Sequence, residues 1–376
     1  MSTSAAILGS RRNMRSRKKK VIGGVLILLI TALVTLRLAL PTIVQHYVNN
    51  KLDELPEYDG RIGDVDIHLI RGAYSIDDVD IEKTTGSVPM PFFSARTVDL
   101  SMEWREIFQG ALVGEIQVLG CSLNFVKGEN EEDSQTSIDN SWLKIVEDLF
   151  PFRINRFTIR EGAIWFHDLG TEPKVDVYLT NLVAVCTNLY NTRDLATELP
   201  ADFRARGTTL GGGLLELHVK LDPLADEPMF DLELGLTEVN LVALNEMLEA
   251  YGRFNVKRGT FEAFAEIAGS EGTFDGYVKP FFEDLNVFEL EQDAKNPAKL
   301  IWQAIVAGAV KVFKNHPQDQ VATKVPVSGT FEKTDIEIWT TIVNVLRNAF
   351  FEAFKARVDD SINLFERDEE AKRKAD

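Results

Sequence analysis

Cysteine is nearly absent: Cys121 and Cys186 are the only two in 376 residues. That count excludes a disulfide framework; outside the cytoplasm the two could still pair, or remain free thiols. Histidine is scarce too, and His46, His68, His167, His218 and His316 lie far apart in the chain. His68, His167 and His218 fall in β-stretches and read as polar-face residues, unless folding gathers them. Positive charge is outweighed over most of the chain. Residues 1–20 hold seven Lys/Arg and no acid, which leaves 34 Lys/Arg against 58 Asp/Glu in the remainder. A body that acidic is a poor surface for nucleic acid, so no nucleic-acid partner is expected.

Motifs of chemistry are missing as well. There is no phosphate-cradling G-x-x-x-x-G-K-[ST], no strand-linked G-x-G-x-x-G, no H-E-x-x-H and no G-x-S-x-G. Gly211-Gly212-Gly213 reads as a turn. Asp77-Asp78 and Asp80 alternate with Ile76, Val79 and Ile81, and the glycine and closing glutamate of a calcium loop are missing. We therefore expect no catalytic residue, no cofactor and no metal site: the chain does not read as an enzyme.

What is present is a repeated phrase around glycine. It runs Leu69-Ile70-Arg71-Gly72-Ala73-Tyr74, then Ile159-Arg160-Glu161-Gly162-Ala163-Ile164, then Val256-Lys257-Arg258-Gly259-Thr260-Phe261, with a weaker copy at Gly120-Cys121. Glycine supplies positive φ cheaply, so each copy reads as a two-residue hairpin loop. That reading pairs Leu69 with Tyr74, Ile67 with Ile76, Val118 with Leu123, and Ile116 with Phe125. It also pairs Ile159 with Ile164, Phe157 with Phe166, Val256 with Phe261, and Phe254 with Ala263. Side chains alternate along a strand, so these pairs share one apolar face. That face is either the filled core of a sandwich or a wall open to something else.

One long apolar run exists. Residues 21–40 are apolar except for Gly, Thr and Arg37, and twenty residues at 1.5 Å each cross a hydrocarbon core of about 30 Å. The preceding basic cluster orients the N-terminus to the cytoplasm. A cleaved signal peptide is the alternative, but Arg37-Leu38-Ala39-Leu40-Pro41 is a poor cleavage site. Residues 42–56 then read as an amphipathic helix with Ile43, His46, Tyr47, Asn50 and Leu52 together. Residues 57–337 read as a β-rich domain with helices near 141–150, 240–251 and 297–315, and with a mobile acidic loop at 129–136. A long helix at 338–365 and a charged tail at 366–376 close the chain.

The order of these features resembles the AsmA-like bacterial envelope proteins, in the branch known as domain of unknown function 748. The resemblance is carried by the anchor and following helix, by Tyr58 to Val65, and by Tyr74 to Ile81. It continues through Trp104 with Gly110 to Ile116, Ile159 to Asp168, and Val325 to Phe331 ahead of Asn348-Ala349-Phe350. It implies a single-pass inner-membrane anchor, a periplasmic body, and a long, curved antiparallel β-sheet whose concave face is apolar. It also implies phospholipid as the ligand, and transport or envelope homeostasis as the role. The overall expectation is a mainly β (α+β) protein: a transmembrane helix, a β-groove and C-terminal amphipathic helices. Sixteen to eighteen strands would make a groove of roughly 75–85 Å. Ile67, Leu69, Val118, Leu123, Ile159, Ile164, Phe166, Val256 and Phe261 would line it. The alternative is an envelope scaffold or assembly factor that binds a protein partner through a sheet edge or helices. An envelope protein or a second copy could also extend the groove.

Overall fold

The computed structural model describes residues 37–55, 57–68, 72–102, 113–130, 132–135, 153–189, 199–223, 225, 227–252, 254–287, 320–322 and 325–330, with scattered positions from 24 to 35. Leu69, the basic tail 1–20, the expected helices at 141–150, 297–315 and 338–365, and the tail 366–376 lie outside the described residues.

Alternating apolar and polar residues build one long, curved, open sheet. Its fourteen strands are β1 (Tyr58–Arg61), β2 (Asp64–His68), β3 (Ala73–Lys83), β4 (Phe93–Met102), β5 (Val113–Lys127), β6 (Arg153–Asp168) and β7 (Val175–Thr187), followed by β8 (Ala201–Thr209), β9 (Leu214–Leu221), β10 (Phe230–Asn240), β11 (Val256–Ser270), β12 (Thr273–Val287), β13 (Gln320–Ala322) and β14 (Val325–Thr330). Neighbours follow chain order from β3 to β12. β1 and β2 share one side of β3, and β13 and β14 share one side of β12. The sheet is therefore twelve strands wide, about 53 Å at 4.8 Å per step. Among the described residues this is shorter than the expected groove, because they form fourteen strands, with β1 and β2 sharing one edge position and β13 and β14 another.

Three of the four expected glycine hairpins are not hairpins. β5 runs straight through Gly120, β6 through Gly162 and β11 through Gly259. Only the first copy joins two strands, β2 and β3, and there Ile67 faces Tyr74 and Val65 faces Ile76, two residues off the expected register. The phrase marks an interruption within a strand. Within strands a positive φ occurs at the phrases, at Gly120 (62°) in β5, Glu161 (54°) in β6 and Gly259 (151°) in β11, and also elsewhere, at Asp78 (52°) in β3, Asn181 (51°) in β7, Glu238 (58°) in β10 and Asp284 (51°) in β12. Register slips at the β6–β7, β7–β8 and β10–β11 seams identify bulges there. Apolar positions skip three residues at such points instead of two. Val118 and Cys121 are both buried on either side of Leu119-Gly120, so the same face stays apolar through the break.

Nor is the sheet wholly antiparallel. β5 and β6 run parallel, with Val118 beside Ile159, Leu123 beside Ile164 and Phe125 beside Phe166. The second and fourth phrases thus lie side by side in register. A parallel pair needs a long crossover, and residues 128–152 supply 25 residues for it. The start of that stretch is not a free loop. Gln135 is 1% exposed and exchanges backbone hydrogen bonds with Val126, while Lys83 Nζ donates to the carbonyls of Glu132 and Ser134.

Residues 37–52 are helical. The face turned to the sheet carries Val44, Val48 and Leu52, followed by Leu55, which pack with Ile62, Val65, Ile76 and Val98. The expected face was rotated from this: Ile43 and Tyr47 are exposed. Docking onto β1 explains the choice, because Asn49 Oδ1 accepts from the Ile62 amide at 3.0 Å and Leu52 lies against Gly60, where a Cβ would not fit. Among the described residues no helix is long and apolar enough to cross a membrane.

Candidate functional site

Directly paired residues share a sheet face, so the registers define its two surfaces. One row begins at Val65 and passes through Ile76, Val98, Val118, Ile159 and Ala184. It continues through Ala205, Leu217, Leu234, Ala265 and Val278. A second row on the same face runs Ile67, Tyr74, Leu100, Ile116, Phe157 and Cys186. It ends Phe203, Val219, Leu232, Ile267, Gly276 and Val327. Neither row contains a charged residue. Tyr74 is the most polar member, and burial pushes its phenol up to about 12.

Three parts of this face differ in exposure. At the β1–β4 end the N-terminal helix covers it. At the β10–β12 end the helical segment 241–252, capped by the Asn240 side chain, covers Val239, Val256, Phe261 and Ala263. Over β8–β12 Val219, Leu221, Leu232 and Ile267 have no exposure to solvent. Between these, Phe157, Ile159, Phe203, Leu217 and Leu234 are half-buried.

The expected lining residues divide accordingly. Val118 and Ile159 are neighbours in the first row. Leu123, Ile164 and Phe166 continue the face beyond the interruption. Ile67 opens the second row. Val256 and Phe261 lie at the far end under the 241–252 segment, several strands away. The expected pairing of Ile159 with Ile164 and of Val256 with Phe261 fails, because each pair lies along one strand. The glycine phrases pointed to Phe157 but not to Cys186, Phe203, Val219, Leu217, Leu232, Leu234 and Ile267. Plain alternation in β9 and β10 carried that signal: Phe230, Leu232, Leu234 and Leu236 are every second residue.

A polar contact pins the cover at one margin. Asp168, fully buried at the end of β6, accepts from Tyr251 Oη at 2.7 Å, Lys127 Nζ at 2.8 Å and the Gly170 amide at 3.0 Å. Burial alone would raise its pKa, but these donors outweigh burial and hold the carboxyl below the usual range. Burial, and then the same contact, push the Tyr251 phenol up. A second carboxylate, Asp202, is likewise held low: burial opposes its charge, and bonds from Arg204 and His218 overcome that.

The opposite face is polar. Asp99, Gln117, Thr158, Val185, Arg204, His218, Glu233 and Glu266 form one of its rows. His68, His167 and His218 stand on different strands. Among the described residues no three His, Cys, Asp or Glu side chains gather as a metal set. Asp77 of the acidic run instead accepts from Thr97 Oγ1 at 2.9 Å. Cys121 and Cys186 are buried free thiols. Cys121 lies within β5, not in a hairpin loop, and β6 separates it from Cys186 in β7. Two strand spacings are about 9.6 Å, beyond the reach of a disulfide.

No family model matches this chain, and no curated protein matches it.

Proposed function

We propose that the protein is an inner-membrane-anchored periplasmic protein that holds lipid acyl chains against its apolar sheet face, in the manner its resemblance to the AsmA-like family suggests. The carrying observation is the pair of uncharged rows that crosses the sheet from edge to edge. Acyl chains need only such a surface, at about 0.8 kcal/mol per buried CH₂. They would enter where the rows are half-buried, around Ile159, Phe203, Leu217 and Leu234.

The N-terminal helix supports the membrane half of the reading. Ile27, Leu28 and Leu29 are all more than half exposed, yet successive helical residues point 100° apart. Apolar exposure on several sides suits lipid better than water. Thr31 and Thr35 return their hydroxyls to the carbonyls four residues earlier, each at 2.9 Å, so they carry no unmet hydrogen bond.

A scaffold that recruits a partner by extending the sheet has less support. Among the described residues both edges are broken into short strands of three to six residues, and Pro326 lies in one of them. Such edges are poor templates for a further strand.

The test is photo-crosslinking in cells from residues 159 and 217, with position 204 on the polar face as control. Phospholipid adducts at 159 and 217 and none at 204 are expected. Protein adducts alone at both apolar positions would end the acyl-chain reading.

A further inference from the structure

The polar face of β4 to β8 contains a hollow of about 610 Å³, and its wall includes Arg156, Arg160 and Arg206. That volume lies in the range of small-molecule sites. Arg156 and Arg160 are on β6, and Arg206 on β8 stands opposite Val183 of β7, the position next to Arg160. Arg160 and Arg206 are therefore two strand spacings apart, about 10 Å, and both stand on the polar face. Their side chains are long enough to converge above Val183.

Charge distinguishes this hollow from the rest of an acidic chain. Three carboxylates also line it: Glu161 is paired with Arg96 at 3.0 Å, and Asp99, which accepts from Ser75 Oγ, keeps its charge. Glu115 is the third. Among the described residues, none of the three arginines has a carboxylate within ion-pair distance. The floor carries Val183 and Val185, an apolar strip between the cations.

We propose that this hollow binds a phosphate ester: the phosphoryl oxygens sit in the forks of Arg160 and Arg206, and the organic part lies on Val183 and Val185. Guanidinium groups match phosphate oxygens in pairs; with Glu161 matched by Arg96, three arginines face the two carboxylates Asp99 and Glu115, an excess of one positive charge. The ester is either a soluble compound or a lipid headgroup; both present the same phosphoryl group. The site lies on the face opposite the acyl-chain rows and does not depend on them.

The test uses the full chain in detergent, titrated with phenyl phosphate by calorimetry, and the chain reconstituted in phosphatidylcholine vesicles with and without phosphatidic acid. Arg160→Gln with Arg206→Gln should weaken phenyl phosphate about tenfold or more, while Lys220→Gln on the same face leaves it unchanged. Arg206→Lys alone keeps the charge but loses the fork, and should weaken binding about threefold; it stands in if the double variant misfolds. Arginine-dependent retention of phosphatidic acid without phenyl phosphate binding makes the headgroup the source. Binding of neither probe, or binding that the arginine variants leave intact, overturns the site. Lipid adducts at position 159 should persist in the double variant, which separates this result from the acyl-chain reading.

Discussion

The Arg96 guanidinium lies 3.0 Å from the Glu161 carboxylate, although the two residues stand on β4 and β6 with β5 between them. The residue of β5 beneath the bridge is Gly120, where a Cβ would come within 3.1 Å of the guanidinium. The missing side chain and the φ of 62° at Gly120 are both used.

Gly120→Ala should therefore cost about 1–2 kcal/mol from the left-handed backbone alone. Arg96→Ala should cost less than about 1 kcal/mol, since the pair is mostly exposed. Glu161, a non-glycine at φ 54°, gives the converse: Glu161→Gly should gain up to about 1 kcal/mol. Denaturant midpoints of the three variants check the order. Equal losses for Gly120→Ala and Arg96→Ala would place the effect in the ion pair instead.

Tyr251→Phe removes a hydrogen bond to a buried carboxylate and should loosen the 241–252 segment by about 1.5 kcal/mol. Hydrogen exchange would show this as faster exchange in that segment, with β8 and β9 unchanged.

The Asp168 pKa is lower folded than unfolded, so its contribution is complete above the unfolded value of about 3.9 and is lost as pH falls through the folded value. Acid unfolding of the wild type should steepen below about pH 4, and Asp168→Asn should flatten that limb while lowering stability at neutral pH. An unchanged acid limb in Asp168→Asn would remove Asp168 from the account.

Burial pushes the Cys186 thiol up to about 12, with Asp202 adding to the shift, and burial raises Cys121 as well. The thiolate is the reactive form, so both should resist maleimide at pH 8 while folded and react on unfolding. Mass spectrometry of protein purified without reductant should find two free thiols.

Leu232 has no solvent exposure, whereas Leu217, its diagonal neighbour on β9, is half-buried. Leu232→Ala should cost about 2–5 kcal/mol and Leu217→Ala clearly less. Thermal unfolding gives the comparison. Comparable losses would mean that the Leu217 region is as tightly filled as the rest.

The two-faced character of the sheet was legible from alternation, and so were most strands. Phe230, Leu232, Leu234 and Leu236 could not lie on a strand without making one face apolar. The repeated phrase was legible as a unit but not as a shape. Hairpin turns and bulges both call on a positive φ, and the pattern of apolar residues around them is the same. The inward face of the N-terminal helix was misread because Ile43 and Val44 are both apolar. Only the docking of Asn49 and Leu52 on β1 selects Val44 and Val48. The hollow with its three arginines was invisible, since Arg206 lies 46 residues from Arg160 and only the β6–β7–β8 registers bring them near.

Two Glu-Gly pairs divide what each level decides. Glu161 and Glu271 both have positive φ, 54° and 50°. At Glu271-Gly272 the glycine is positive as well, at 75°, and the chain reverses from β11 into β12. At Glu161-Gly162 only the glutamate is, and the chain runs on as β6. At Glu161-Gly162 the sequence by itself determined that the backbone departs from the plain strand and that the residues around it show one apolar face. Whether the departure became a turn or a bulge was decided by the tertiary structure. β5 lay alongside in parallel register to pair with β6 on both sides of the break, and that pairing is a long-range hydrogen-bond ladder that no local pattern encodes.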